Sequence, residues 1–387
     1  MRVRLLLPAL ALLALGCTSS DSTARLHYTN AVVVADLDGD GRPDIITGTG
    51  KYVDSGTEPG FASVSLQTTP GTFGSPARYT VGGDPAALAV GDLNGDGRPD
   101  LVVANAASGT VSVYFQTAGH TFALAATLDT GALTPLDVAI GDLDQDGRPD
   151  IAVATSGASV AQIFLQTAPG VFQATPVSVS LGGDPRCVVV ADLNGDGRPD
   201  LAVGTTADVV SVFYQNAAPA GTFAPAVDLP VGTRPVALKA VDLTGSGRMD
   251  LITANYRATA AQGVTVLRQT APGVFAAGIG YDTGDYYAAG LAVADLNADG
   301  HPDLAVACSG VPGDPGSVAV LIQNPASLGA FLPPDNYIGY TGPLGVAIGD
   351  LNNDGLPDLV VADGEPYRRL QISGQPGKFG SASFIAY

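Results

Sequence analysis

Tryptophan is absent from the 387 residues, methionine occurs twice, and cysteine and histidine occur three times each. Three Cys cannot build a disulfide framework. Cys187 and Cys308 fall in non-adjacent repeats and read as buried thiols. The three His offer little for catalysis. His27 precedes the first repeat described below, His120 lies in a hairpin turn and His301 lies inside an acidic segment. None has a partner at a useful spacing, and no Gly-x-Ser-x-Gly or phosphate-loop motif occurs, so no enzyme is expected. Basic residues are also scarce, 18 Lys and Arg against 37 Asp and Glu, for a net charge of −19. Nothing in that balance could neutralise a row of phosphates, which excludes nucleic acid as a partner. What the chain has in excess is 50 Gly and 28 Pro, a composition of many short strands and tight turns.

The first residues read as an export signal. Arg2 and Arg4 form a basic n-region, and Leu5 to Gly16 is apolar but too short to span a bilayer. Leu13-Ala14-Leu15-Gly16-Cys17 and the polar tract Thr18 to Thr23 resemble a bacterial lipoprotein lipobox. That resemblance implies a signal peptide over 1–16, a lipidated Cys17, and a linker over 17–30. The expected location is exported and membrane-anchored, at the outer membrane or cell surface. No later segment approaches the ~20 apolar residues of a membrane helix, so contact with a membrane is expected through the lipid alone.

A repeat governs the rest of the chain, 31–387. Asp36-Leu-Asp-Gly-Asp-Gly-Arg-Pro-Asp44 recurs from Asp92, Asp142, Asp192, Asp242, Asp295 and Asp350, at intervals of 56, 50, 50, 50, 53 and 55 residues. A Gly-x-Phe marker or near relative keeps the same beat, ending at Phe73, Phe122, Phe172, Phe223, Phe275, Phe331 and Phe379. Within one repeat, Ala86–Gly91 and Leu101–Ala104 are short apolar runs that flank the acidic segment. Val111–Gln116 alternates, and Ala123–Thr130 is polar. The period-2 patterns and β-branched residues predict four strands. Seven four-stranded units predict an all-β chain, a seven-bladed β-propeller with four-stranded antiparallel blades. Either terminus could complete the seventh blade: Phe384–Tyr387 and Arg25–Thr29 both look like outer strands.

The spacing Asp-x-[Asp/Asn]-x-Asp-Gly-x-x-Asp sets oxygen donors at the first, third, fifth and ninth positions, with a backbone carbonyl at the seventh. Ca²⁺ takes six to eight such hard oxygens, and the sixth-position Gly permits the φ > 0 turn that curls the loop. The predicted ligands in the first repeat are Asp36, Asp38, Asp40, Asp44 and the carbonyl of Arg42. In the second they are Asp92, Asn94, Asp96, Asp100 and Arg98, and in the third Asp142, Asp144, Asp146, Asp150 and Arg148. The fourth offers Asp192, Asn194, Asp196, Asp200 and Arg198. The sixth offers Asp295, Asn297, Asp299, Asp303 and His301, and the seventh Asp350, Asn352, Asp354, Asp358 and Leu356. The Arg side chains are expected to point to solvent. In the fifth repeat Thr244, Ser246 and Met249 replace ligands and Pro, leaving Asp242 and Asp250. Up to six structural Ca²⁺ are therefore expected. The motifs contain 22 of the 37 acidic residues, so most of the negative charge is ligand. An EF-hand would need Glu at the twelfth position; here that position holds Thr47, Val103, Val153, Val203, Thr253, Val306 and Val361.

These seven nonapeptides resemble the FG-GAP/VCBS repeat family, which includes the integrin α-chain propeller and many bacterial surface proteins. The resemblance implies a propeller with Ca²⁺ between the first two strands of each blade, the acidic loops sharing one face. The opposite face is expected to carry the loops that differ most between repeats. Tyr52, Arg257, Tyr286 and Tyr287 are the candidate partner-binding residues there, with Arg186, Arg234, Tyr256, Tyr367 and Arg368 as further additions, because Tyr and Arg are enriched at binding hot spots. The expected function is a monomeric protein-binding or adhesion module. A carbohydrate-binding propeller is the alternative, and a polysaccharide-degrading enzyme a less favoured one.

Overall fold

A computed structural model describes residues 27–51, 59–256, 262–284, 287–310 and 315–385. Within these, seven antiparallel four-stranded sheets follow one another along the chain. Blade 1 runs His27–Ala35, Asp44–Lys51, Phe61–Ser65, Ala77–Thr80, and blade 2 Pro85–Gly91, Asp100–Asn105, Thr110–Gln116, Phe122–Asp129. Blade 3 comprises Thr134–Gly141, Asp150–Ser156, Val160–Phe164 and Val177–Ser180. Blade 4 comprises Pro185–Ala191, Asp200–Thr205, Val209–Phe213 and Val227–Pro230. Blade 5 has Pro235–Val241, Asp250–Asn255, Val264–Leu267 and Ile279–Tyr281, and blade 6 Ala288–Ala294, Asp303–Cys308, Gly316–Leu321 and Asp335–Tyr340. Blade 7 ends the ring with Gly345–Gly349, Asp358–Asp363, Glu365–Arg369 and Ser383–Phe384. The protein is a seven-bladed β-propeller.

Burial follows strand order. The second strands are covered on both faces, every residue of Asp100–Asn105, Asp200–Thr205 and Asp303–Cys308 being buried. That is why they read as unbroken apolar runs rather than alternating ones. The outer strands alternate or lie open, as at Val177–Ser180. The core is not one cluster but seven, each bridging two adjacent blades. The second residue of each acidic motif, Leu37, Leu93, Leu143, Leu193, Leu243, Leu296 or Leu351, is essentially inaccessible and lies in the cluster shared with the next blade. The Asp-Leu pair thus joins a polar loop to an interblade core.

The chain's C-terminal segment supplies the seventh outer strand, Ser383–Phe384, which pairs with Tyr367 and Arg368. His27–Thr29 instead extends the inner strand of blade 1, opposite Lys51, Gly50 and Thr49. Among the described residues no strand is shared between the two ends of the ring, so closure depends on contacts between complete blades. Thr29 donates from N and Oγ1 to Gly364 O at 3.1 and 2.7 Å. Val32, Ile45 and Phe73 share a core cluster with Leu351, Val360 and Ile385. Inner strands approach so closely here that a Cβ on Gly349 would lie 2.5 Å from Val34 Cγ1.

Candidate metal centres and the opposite face

Each acidic loop is curled by its own first carboxylate. In blade 1, Asp36 Oδ1 accepts from Gly39 N (2.8 Å) and Asp40 N (3.2 Å), and Oδ2 accepts from Gly41 N (2.9 Å). The Oδ2 bond recurs at Asp92, Asp142, Asp192, Asp295 and Asp350. Gly41 has φ +81°, and the sixth-position glycines of the other loops are likewise left-handed, with open space where a Cβ would go. Conformation, not crowding, requires Gly there. The fourth position is also left-handed, and three of its seven residues are not Gly: Gln145, Ala298 and Asn353, at φ +60°, +61° and +60°.

The first, third and fifth positions converge. The carboxylates of Asp36, Asp38 and Asp40 lie within 4.8 Å of one another, as do those of Asp142, Asp144 and Asp146. Where the third residue is Asn, its Oδ1 takes the fifth residue's N–H, as Asn94 does from Asp96 at 2.9 Å. The fifth carboxylate accepts the seventh residue's N–H, for example Arg42 N to Asp40 Oδ1 at 2.9 Å. The Arg side chains do not point to solvent as the sequence suggested. Arg42, Arg98, Arg148 and Arg198 fold back onto Asp40, Asp96, Asp146 and Asp196. Crowded acids attract the nearest cation, and a seventh-position guanidinium is within reach.

The ninth-position Asp does something that spacing did not reveal. It is buried in every blade, and both its oxygens accept backbone bonds. Asp44 receives Leu37 N on Oδ2 at 2.8 Å and Gln67 N on Oδ1 at 2.7 Å. The same pair holds Asp100, Asp150, Asp200, Asp250, Asp303 and Asp358. Each carboxylate oxygen has a second lone pair, so this pinning is compatible with metal ligation. Burial pushes the carboxyls of Asp44, Asp200, Asp303 and Asp358 up to about 6 and that of Asp150 up to about 7, against those backbone bonds. A bound cation beside them would reverse that direction.

The glutamine at or just past the end of the third strand is a further element that spacing alone did not single out. Gln67, Gln116, Gln166, Gln215, Gln269, Gln323 and Gln371 are all buried. Six of them donate Nε2 across a blade boundary to the carbonyl of the preceding motif's Leu, as Gln116 does to Leu37 O at 2.8 Å and Gln67 to Leu351 O at 2.9 Å. Gln recurs with the same period as the acidic motif, which is the signal that would have found it.

Of the residues expected on the opposite face, Tyr52, Arg257 and Tyr286 lie outside the described residues, as does Cys17 at the N-terminus. Tyr287 is described: its ring centroid lies 4.8 Å from that of Tyr256. Tyr367 and Arg368 do not belong to this face. The second and third strands of blade 7 are joined by Gly364 alone, so both residues sit within the third strand. Tyr367 packs on Phe384, and Arg368 donates to Gly71 O at 2.6 Å beside the acidic loops. A cavity of about 480 Å³ between the inner strands of blades 1, 5, 6 and 7 is lined mainly by Val and Ala, with Lys239 and Asp295 as its charged residues. Cys187 and Cys308 are buried in blades 4 and 6 and are not joined in a disulfide.

Seven blades, each with the acidic hairpin between its first two strands, define the class. The chain belongs to the FG-GAP repeat family. The FG-GAP-like repeat matches residues 53–103, 92–153, 142–203, 193–253, 242–306 and 302–361, and the FG-GAP repeat matches 28–64. No curated protein matches the chain in sequence. Among solved structures it resembles BBS1N in complex with ARL6DN, at 14% identity and TM-score 0.55, over 87% of this chain and 89% of that one. It also resembles a protein from Lactobacillus plantarum (15%, TM-score 0.58, 82% and 86%). A third is the Bacillus licheniformis rhamnogalacturonan lyase (15%, TM-score 0.52, 88% and 71%). At such identities the likeness shows the fold alone.

Proposed function

We propose that the chain is a calcium-loaded propeller that acts as a protein-binding module at the cell surface, anchored by a lipid on Cys17. The observation that supports the metal reading is the convergence of the first, third and fifth oxygens in loops whose backbone is already curled. Hard oxygens in a flexible cage suit Ca²⁺. Blades 1, 2, 3, 4, 6 and 7 would hold the ion through the residues assigned above, and its chemistry there is structural: it neutralises crowded carboxylates. The loops repeat one shape around the ring, so they offer little diversity for recognition. Partner binding therefore falls to the opposite face, where Tyr and Arg replace small residues.

The test is capture of a partner by soluble protein lacking residues 1–17, in calcium. A variant with Tyr52, Arg257, Tyr286 and Tyr287 changed to Ala is expected to keep its melting temperature and calcium content and to lose the partner. Loss instead on changing Arg98 and Arg148 would place recognition on the acidic face. Labelling of the full chain with radioactive palmitate, abolished by Cys17→Ala, checks the anchor.

A further inference from the structure

Blades 4 and 5 meet the face opposite the acidic loops with two arginines that no other blade carries in these places. Arg186 is the extra residue of a bulge at the start of the inner strand of blade 4, where the register shifts between Pro185 and Cys187. The bulges of blades 2, 3, 5 and 6 hold Ala86, Leu136, Val236 and Ala289 instead. Arg234 precedes the inner strand of blade 5 with φ +57°. Neither guanidinium forms a salt bridge among the described residues, although six other basic side chains do. Arg186 Nε is buried and has no hydrogen-bond partner. The Nε atoms of Arg148, Arg268 and Arg368 are likewise unpartnered, but those three guanidinium groups reach a carboxylate or a backbone carbonyl, which leaves the Arg186 fork suited to an incoming oxygen.

The acids nearby are already engaged. Asp184 Oδ1 accepts Ser159 N at 3.1 Å and Ser159 Oγ at 3.0 Å, and Asp208 Oδ1 accepts Arg234 N at 2.7 Å. Burial, and then the Arg234 charge, push the Arg186 guanidinium below its ordinary value, with Asp184 opposing. Cys187 and Pro235, the residues that follow the two arginines, meet at Gly204, where a Cβ would lie 2.5 Å from Cys187 Sγ and 3.2 Å from Pro235 Cβ. Two cations brought to one corner of the face, with neither in a salt bridge among the described residues, attract an anion. Arg234 Cζ lies 5.2 Å from the Tyr256 ring centroid, and Tyr287 flanks the same ring at a 49° tilt. The Tyr256 ring is therefore covered by Arg234 and Tyr287 and offers no flat platform to a sugar. A carboxylate, which needs a fork of N–H donors and not a stacking face, suits the arrangement.

We propose that Arg186 and Arg234, steadied by the Tyr256–Tyr287 pair, form a carboxylate-binding site for an acidic peptide segment of the protein partner. This rests on the reading that partners meet the face opposite the acidic loops. The test uses fluorescently labelled hexaglutamate, with hexaglutamine and an oligogalacturonate as comparison probes, measured by anisotropy at low ionic strength. Wild-type protein is expected to bind hexaglutamate and not hexaglutamine. R186Q/R234Q should weaken binding about ten-fold or more, and R186K/R234K should weaken it less, because the charge remains and the fork is lost. Melting temperature and calcium content of both variants should match wild type. No binding by the wild type, or unchanged binding in R186Q/R234Q, overturns the site while leaving the face to its own test. Loss of binding only in R98A/R148A overturns the face as well. Tighter binding of oligogalacturonate through the same two arginines overturns the peptide class.

Discussion

In blade 3 the acidic loop carries Asp142, Asp144, Asp146 and Asp150; in blade 5 the same backbone carries Asp242, Thr244, Ser246 and Asp250. The blade 3 loop crowds its charges. Burial and Asp142 raise the Asp144 carboxyl, opposed by Arg148, and Asp150 is pushed up to about 7. The blade 5 loop has removed them. Asp242 feels some burial, but the N–H groups of Gly247, Ser246 and Thr244, at 2.6, 3.0 and 3.1 Å, hold its carboxyl below the usual range. Arg268 Nε stands 3.3 Å from Asp250 Oδ2. In the other blades that residue, just before the glutamine, is Leu66, Phe115, Leu165, Tyr214, Ile322 or Leu370. The shape of the loop therefore depends on its first and ninth Asp and its left-handed residues, whereas the third and fifth positions set its demand for a cation. Blade 5 meets what demand remains with a protein side chain.

The largest expected effect comes from removing calcium. Ions that bind only the folded state stabilise it by mass action, about 2.7 kcal/mol per site at a hundred-fold excess over Kd. With several sites, EDTA should lower the melting temperature by about ten degrees or more, and a calorimetric scan unchanged by EDTA would remove the basis of the comparison. Next is an exchange between the two loops. Asp146→Ala should delete one bound calcium, read by equilibrium dialysis, and lower stability in calcium by about 2–3 kcal/mol. Thr244→Asp with Ser246→Asp should add one. An unaltered stoichiometry in either case would show that the third and fifth positions do not control binding.

The inner strands repeat the contrast, with Asp137 in blade 3 and Lys239 in blade 5. Asp137 accepts Val188 N and Val138 N, both at 2.9 Å. Burial pushes its carboxyl up to about 6, against those two bonds and the Lys239 charge. Because the folded chain holds this proton more tightly than the unfolded chain, the contribution of Asp137 to stability is highest below pH ~4. It then falls as pH rises to about 6, by roughly 2 kcal/mol after allowing for partial exposure. Denaturation midpoints at pH 4.5 and 7 should differ less in Asp137→Asn than in wild type, and an equal difference would refute the assignment. The smallest effect is expected at Arg268→Leu. It should cost about 1 kcal/mol to the same extent in calcium and in EDTA, whereas no loss in either condition would mean that Arg268 does not replace an ion.

Much of this is legible in the residues alone. The seven-fold period, the four strands of each repeat and the departure of the fifth loop from the motif all follow from residue types at fixed spacing, because every loop must repeat the same hydrogen bonds. Several features are not legible. Gln145 and Ala298 stand at a left-handed position that Gly occupies in four other loops, and nothing in their chemistry announces it, whereas Asn353 in the seventh loop is of a type that tolerates it. Arg148 carries a charge that could face water; only the packed loop shows it turned onto Asp146. Tyr367 and Arg368 look like loop additions in the sequence, but the tight turn at Gly364 leaves blade 7 with no loop to add to.

What the sequence by itself determined is the blade: its strand order and its curled acidic hairpin. Those are local properties, written by period-2 patterning and by turn residues. What only the tertiary structure decided is how blades meet. The glutamine of one repeat finds a carbonyl 72 to 79 residues earlier, as in Gln215 to Leu143 and Gln116 to Leu37. The ring closes by blade-to-blade packing at Thr29 and Gly364, with no strand shared among the described residues, and Arg186 and Arg234, from separate repeats, precede Cys187 and Pro235, which meet at Gly204. Such contacts join residues with no local relation, so their energy depends on the angle at which whole sheets pack, and no spacing within one repeat encodes that angle.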